Sequence, residues 1–188
     1  MITITAHPSG QYRPRTIANA ESADLTAAFA LDFTTSGEQL TRRAAGERYV
    51  AIPLTEDHIQ AARLLWKALA THNAKTLNIA GNSLHRLAGN GWPQWKVNAW
   101  LYLVVAKVHE HWPITLIRSG GQSGADIAGL VAAHAVGIDA CGLLPKGYLQ
   151  RDEQGKDHFH TASEIKHQVE RWATQVRGIT AMPDFPPQ

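Results

Sequence analysis

The sequence predicts an open three-layer α/β sandwich with a mostly parallel sheet, and three observations carry the prediction. Short apolar runs alternate with segments whose apolar residues recur every three or four positions, the pattern of strands joined by crossover helices. The strand-like runs are continuously apolar, as expected of strands covered on both faces. A glycine-rich turn, Ser119-Gly120-Gly121-Gln122-Ser123-Gly124, stands between an apolar strand and an apolar helix. The length of 188 residues fits one domain with a small appendage.

The elements follow in order. Residues 1–20 are polar, with Pro8, Gly10 and Pro14, and read as a loose or docking arm. Residues 26–33 read as a strand, followed by the turn Thr34 to Glu38 and a short polar helix to about Ala45. Residues 1–48 are thus expected as an N-terminal extension, a lid or an oligomer contact. A strand over 49–54 opens the main domain, expected over 49–180. Thr55 reads as the N-cap of a helix with Glu56 and Asp57 in its first turn. That helix places Ile59, Ala62, Leu65, Trp66 and Leu69 on one face. A strand over 76–80 then leads into Gly81-Asn82-Ser83 and a loop rich in Gly and Asn.

Pro93 suits the first turn of the next helix, where Val97, Trp100, Leu101, Val104, Val105 and Val108 form the clearest amphipathic pattern. A strand over 115–119, a helix over 124–136 stopped by Gly137, and a strand over 139–144 come next. Residues 147–160 read as a polar surface flap. Thr161 and Glu164 have capping-box spacing and open a helix to about Val176. Residues 181–188 are expected as a flexible tail.

Composition narrows the function classes. The apolar share of 44% and charged share of 18% are ordinary for a globular protein. Net charge is +2 with scattered Lys and Arg, so charge gives nucleic acid no support as a partner. Cys141, the one cysteine, reads as a core thiol, and the ten histidines carry no metal-ligand spacing. No metal site is expected. No run approaches a membrane span and no signal segment is visible, which points to the cytoplasm and away from the membrane.

In an open parallel sheet, ligands bind beyond the C-terminal strand ends at a topological switch. Three segments fall at such ends: Gly81-Asn82-Ser83, Ser119 to Asp126, and Pro145-Lys146-Gly147. The glycine turn puts backbone N–H groups at a helix N-terminus, a place suited to phosphate. Gly120, Gly121 and Gly124 allow close approach, while Ser119, Gln122 and Ser123 offer side-chain donors beside those amides. Asp126, in the first helical turn, would accept hydrogen bonds from a ribose or base. Lys146 would reach back over the crevice, and Arg118 would pair with Asp126 or Glu38. The turn at 32–38 reads as structural, with a lid or subunit contact as the alternative.

The run Ser119-Gly120-Gly121-Gln122-Ser123-Gly124-Ala125-Asp126, with Gly137-Ile138 and Pro145-Lys146-Gly147, resembles the putative molybdenum-cofactor carrier family, which shows S-G-G-Q-T-G-A-D and then P-K-G. That family is part of the SLOG superfamily of Rossmann-like folds. The resemblance implies a Rossmann-like open sheet of SLOG type and ligand contacts from Gly120, Gly121, Gln122, Ser123, Gly124, Asp126 and Lys146. Gly81 and Asn82 match the loop after the first core strand. It also implies pairing into a homo-oligomer, and Trp66, Trp92, Trp95 and Trp100 are numerous enough to stock an interface as well as a core.

The expected function is a binding module that holds a phosphorylated, nucleotide-type small molecule as sensor, carrier or sequestering protein, with no certain resident cofactor. The alternative is an enzyme that cleaves an N-glycosidic or phosphate bond, with Asp126 as its catalytic carboxylate. DNA binding is a third reading, and it would need a basic face to emerge on folding.

Overall fold

A computed structural model describes residues 1–184 of the chain. In chain order the elements are β1 (Ile2–Ala6), α1 (Tyr12–Glu21), β2 (Leu25–Ala30), α2 (Ser36–Ala45), β3 (Tyr49–Pro53), α3 (His58–Thr71), β4 (Thr76–Gly81) and α4 (Leu84–Ala88). They continue with α5 (Gln94–His109), β5 (Leu116–Ser119), α6 (Ala125–Val136), β6 (Asp139–Leu144), β7 (Gln150–Arg151), β8 (Asp157–His158) and α7 (Ala162–Val176). The main sheet has six strands in the order β1-β6-β5-β4-β2-β3, every pair parallel. β7 and β8 form a separate antiparallel ribbon. The fold is therefore the Rossmann-like open α/β sheet that the sequence predicts.

The loose-arm reading of residues 1–20 is corrected. Ile2–Ala6 is an edge strand paired with β6 from Ile2–Ala140 to Ala6–Leu144, and residues 12–21 form α1. Polarity hid it because an edge strand wets one face, and its Ile-Thr-Ile-Thr alternation is the signature of that state. β2 is buried at every position and hydrogen-bonds between β4 and β3. The strands before residue 48 thus belong to the same sheet as those after it.

Smaller differences have local causes. Asp57, not Thr55, caps α3, its carboxylate accepting from Ile59 N–H at 2.9 Å. Pro93 is the cap residue and α5 begins at Gln94. The loop after Ser83 contains the short helix α4. Trp66, expected on the apolar face of its helix, faces outward at 45% exposure, whereas Trp100 is core at 2%. Cys141 is half-buried. Thr161 and Glu164 do make the reciprocal capping box, and Gly137 ends α6 in the left-handed region at φ 94°.

Two helix layers cover the sheet. α1 packs on α2, while α3, α5, α6 and α7 pack successively on one another. The core between sheet and helices is apolar and fully buried, with Phe29, Ile52, Leu65, Leu77, Ile79, Ile117 and Ile127 among its anchors. From β2 the chain runs outward to β3, and from β4 it runs the other way to β5 and β6. The switch therefore lies between β2 and β4, where ligands are expected. Among the described residues no helix is long and apolar enough to cross a membrane. The tail expected over 181–188 lies partly outside the described residues.

Candidate functional site

A cavity of about 520 Å³ opens at this switch. That is the volume range of small-molecule sites. α1 and α2 wall it, the ends of β4 and β5 floor it, and the start of α6 closes it. Of the residues singled out in the sequence, Gly81, Asn82, Gly120, Gln122, Ser123 and Asp126 line it.

The other four do not. Ser119 is fully buried and donates through Oγ to the Asp126 carbonyl at 2.7 Å. Gly121 packs against the Leu144 side chain and Gly124 against the Asn82–Leu84 backbone. Lys146 is exposed, outside the cavity lining, with its amide donating to the Ser9 carbonyl.

The helix start is less open than the sequence suggests. Gly124, at φ +103°, donates to Gln94 Oε1 at 2.6 Å, and Gln94 Nε2 returns to the Gly124 carbonyl at 3.0 Å. The amides of Ala125 and Ile127 donate to the Asn82 and Gln122 carbonyls. The side chains of the turn are also engaged, by the segment that follows Lys146. Gln122 Nε2 donates to the Leu149 carbonyl at 2.6 Å, Ser123 Oγ to the Arg151 carbonyl, and Gln150 Nε2 to the Gly121 carbonyl at 2.7 Å. The turn is thus sutured to its own flap, and the free polar capacity lies deeper.

That deeper capacity comes from residues the sequence reading passed over. Arg15 of α1 is 4% exposed, donates to the Gly120 carbonyl at 2.7 Å and meets Asp126 Oδ2 at 3.4 Å. Asp126 therefore pairs with Arg15, not Arg118, whose buried Nε has no partner. Gly120 makes the pair possible: a Cβ there would overlap both Arg15 Nη1 and Asp126 Oδ2. Burial pushes the Asp126 carboxyl up, and the Arg15 charge opposes the rise.

Glu38 enters from α2, 4% exposed. Thr35 caps that helix by accepting from Glu38 N–H at 3.2 Å. A carboxylate in the first helical turn is ordinarily stabilised by the dipole. Here desolvation wins, helped by the negative Asp126 and Asp32, and the Glu38 carboxyl is pushed up to about 7. The repulsion between the two acids falls on Glu38 because Arg15 stands beside Asp126.

Asn82 orients Glu38. Its Oδ1 accepts from the Leu31 and Asp32 amides at 2.9 and 3.1 Å, so its Nδ2 faces the Asp32 carbonyl and Glu38 Oε1. Asn78, in the middle of β4, donates to Thr26 Oγ1 at 3.3 Å across the β2–β4 pair.

Four buried side chains in this one cavity keep an atom without a hydrogen-bond partner: Arg15 Nε, Asn19 Oδ1, Glu38 Oε2 and Asn78 Oδ1. Each such atom costs about 1–3 kcal/mol. A fold retains a concentration of this kind where function requires it. Outside this floor the lining carries Arg13, Arg43, Arg86 and Arg151, so five arginines in all face two carboxylates. Arg151 is engaged by Asp157 at 2.7 Å. The cavity is electropositive at its mouth and acceptor-rich at its base.

A broader groove of about 720 Å³, lined by Trp92, Trp95 and Trp100, lies at the start of α5. Among the described residues no buried unpartnered polar side chain lines it, and it lacks this chemistry.

Comparison with known proteins agrees with this geometry over one segment. Residues 117–179, from β5 through α7, match the model of the circularly permutated YpsA SLOG family. The similarity to the SLOG family is confined to that segment. It covers about a third of the chain and includes Gly120 to Asp126, the SLOG part of the cavity wall. Arg15, Asn19, Glu38 and Asn78 lie before the SLOG segment, so the cavity joins it to the N-terminal half of the sheet. No curated protein and no solved structure matches the chain significantly.

Signals for the missed residues were present but weak. Asn78 interrupts an otherwise apolar strand, and Thr26 sits opposite it in register. Thr35 and Glu38 have capping spacing, which explained the glutamate without a site. Arg15 and Asn19 lie in a segment whose polarity concealed a helix.

Proposed function

We propose that the protein is a cytoplasmic binding module for a phosphorylated, nucleotide-type small molecule, held as sensor, carrier or sequestering protein. The observation that carries this reading is the set of buried, unpartnered polar atoms on the floor of one cavity. Micromolar affinity corresponds to about 8 kcal/mol, which the polar lining of the cavity as a whole has to supply. The arginines at the mouth supply an anion site. Phosphate recognition therefore falls more to arginine side chains than to the amides at the start of α6, where those of Gly124, Ala125 and Ile127 are already taken. The SLOG similarity of the 117–179 segment supports a nucleotide-related ligand.

Thermal unfolding with a panel of nucleotides, ADP-ribose derivatives, cyclic dinucleotides and pterins tests the reading. At least one should raise the midpoint, and the rise should disappear in Asp126→Ala. No shift with any of them in the folded protein contradicts it.

One observation favours a second reading, an enzyme acting on the same ligand. Glu38, with its carboxyl near 7, shares the cavity with Asp126, whose carboxyl burial also pushes up, and carboxyls that hold and release a proton near neutrality are what general acid–base cleavage uses. Release of free base or phosphate from the bound ligand, lost in Asp126→Asn and Glu38→Gln, would establish it. Self-association belongs to the same proposal, with outward-facing Leu64 and Trp66 of α3 as its apolar surface.

A further inference from the structure

α1 turns one face to the cavity, and that face changes character along its length. Tyr12, Arg15, Thr16 and Asn19 recur at the three- and four-residue spacing that puts side chains on one side of a helix, and all four line the cavity. Arg15 and Asn19 are buried. Tyr12, the first residue of the helix, is 40% exposed and so stands at the mouth. Among the described residues it is the one aromatic side chain in the lining.

The Tyr12 ring is anchored from one side. The Arg15 guanidinium carbon lies 5.4 Å from the ring centroid, a cation over a π face. Arg15 is fixed in turn by the Gly120 carbonyl at 2.7 Å and by Asp126. The loop that leads into the helix is tied by its own bonds: His7 Nδ1 accepts from the Ser9 amide at 3.0 Å, and Ser9 Oγ accepts from the Gln11 amide at 3.1 Å. With Arg15 over one face, the exposed surface of the ring leaves the opposite face open. A ligand that meets a side chain already held in place loses little affinity to ordering it.

The remainder of the lining offers no second flat surface. Its apolar side chains are Leu40, Ile79 and Ala80, and the others are glycine, polar or charged. A nucleotide whose phosphate is taken by arginines therefore has one aromatic plane against which to lay its base. Stacking of this kind tolerates any base, because every base has a π face.

We propose that Tyr12 is the stacking platform for the base of the ligand, on the ring face opposite Arg15. The inference rests on the reading of the cavity as a nucleotide-type site and adds where the base lies, at the mouth on α1.

Calorimetric titration of the full chain and of its Tyr12→Leu and Tyr12→Phe variants with AMP, GMP and ribose 5-phosphate tests it. The wild-type chain should bind AMP and GMP about tenfold or more tightly than ribose 5-phosphate, which has the phosphate and sugar but no base. Tyr12→Leu should narrow that preference to within about threefold, and Tyr12→Phe, which keeps the ring, should preserve it. The ratio separates stacking from a structural role, since a disturbance of Arg15 would weaken all three ligands alike. Equal binding of AMP, GMP and ribose 5-phosphate by the wild-type chain, a preference unchanged in Tyr12→Leu, or one lost in Tyr12→Phe overturns the inference and leaves the nucleotide reading standing. Absence of binding by both AMP and GMP overturns both.

Discussion

Replacing Glu38 with Gln should stabilise the protein, and only at the pH where Glu38 is ionised. The carboxyl is pushed up to about 7 from an ordinary 4.5, chiefly by burial and then by Asp126. Below pH 4.5 both folded and unfolded chains carry it protonated, and it costs nothing. Between 4.5 and 7 the unfolded chain loses the proton first, so folding stability falls as pH rises. Above 7 the penalty is complete. The separation corresponds to about 3 kcal/mol at roughly 1.4 kcal/mol per unit. Glutamine keeps an acceptor for Asn82 and removes the charge, so the penalty disappears. Urea unfolding of both proteins, followed by tryptophan fluorescence, should give the variant an advantage of about 3 kcal/mol near pH 8 and almost none near pH 4.5. For a chain of this length the advantage at pH 8 corresponds to a rise of about 6–12 °C in Tm. The difference between the two pH values isolates Glu38, because every other carboxyl is common to both proteins. An equal offset at both pH values would refute the reasoning.

Two other substitutions test the site's construction. Gly120→Ala places a methyl group on the Arg15–Asp126 pair; displacing that buried pair should cost about 3–5 kcal/mol in urea unfolding, whereas a loss below 1 kcal/mol would mean the pair can move aside. Lys146→Ala should change stability by less than about 0.5 kcal/mol and leave nucleotide affinity within about threefold, since Lys146 lies outside the cavity; a larger loss of affinity would return it to the site.

The architecture was legible where a strand shows as a short, largely apolar run between turn signals, as in β4, β5 and β6, and where cap chemistry marked a helix, as at Thr161-Glu164 and Gly137. It was not legible in β1 and α1, because an edge strand and a helix facing a polar cavity have no apolar run to show. The site followed the same division. The glycine turn announced itself through backbone requirements that only glycine meets, and its Gly120, Gln122, Ser123 and Asp126 line the cavity. Arg15, Asn19, Glu38 and Asn78 come from three separate elements and meet only when β2 pairs with β4 and α1 packs on α2. Lys146 follows β6, two strands from β4, and lies outside the cavity lining, a separation set by the strand order of the folded sheet.

The central claim is that a nucleotide-type ligand occupies the cavity between α1 and α2. Titrating such a ligand into the 15N-labelled protein and mapping amide shifts tests it most directly. The account predicts that the largest shifts fall on Arg15, Asn19, Glu38, Asn78 and Gly120 to Asp126. Shifts confined to the tryptophan groove at Trp92 and Trp95, or none at saturating ligand, would contradict it.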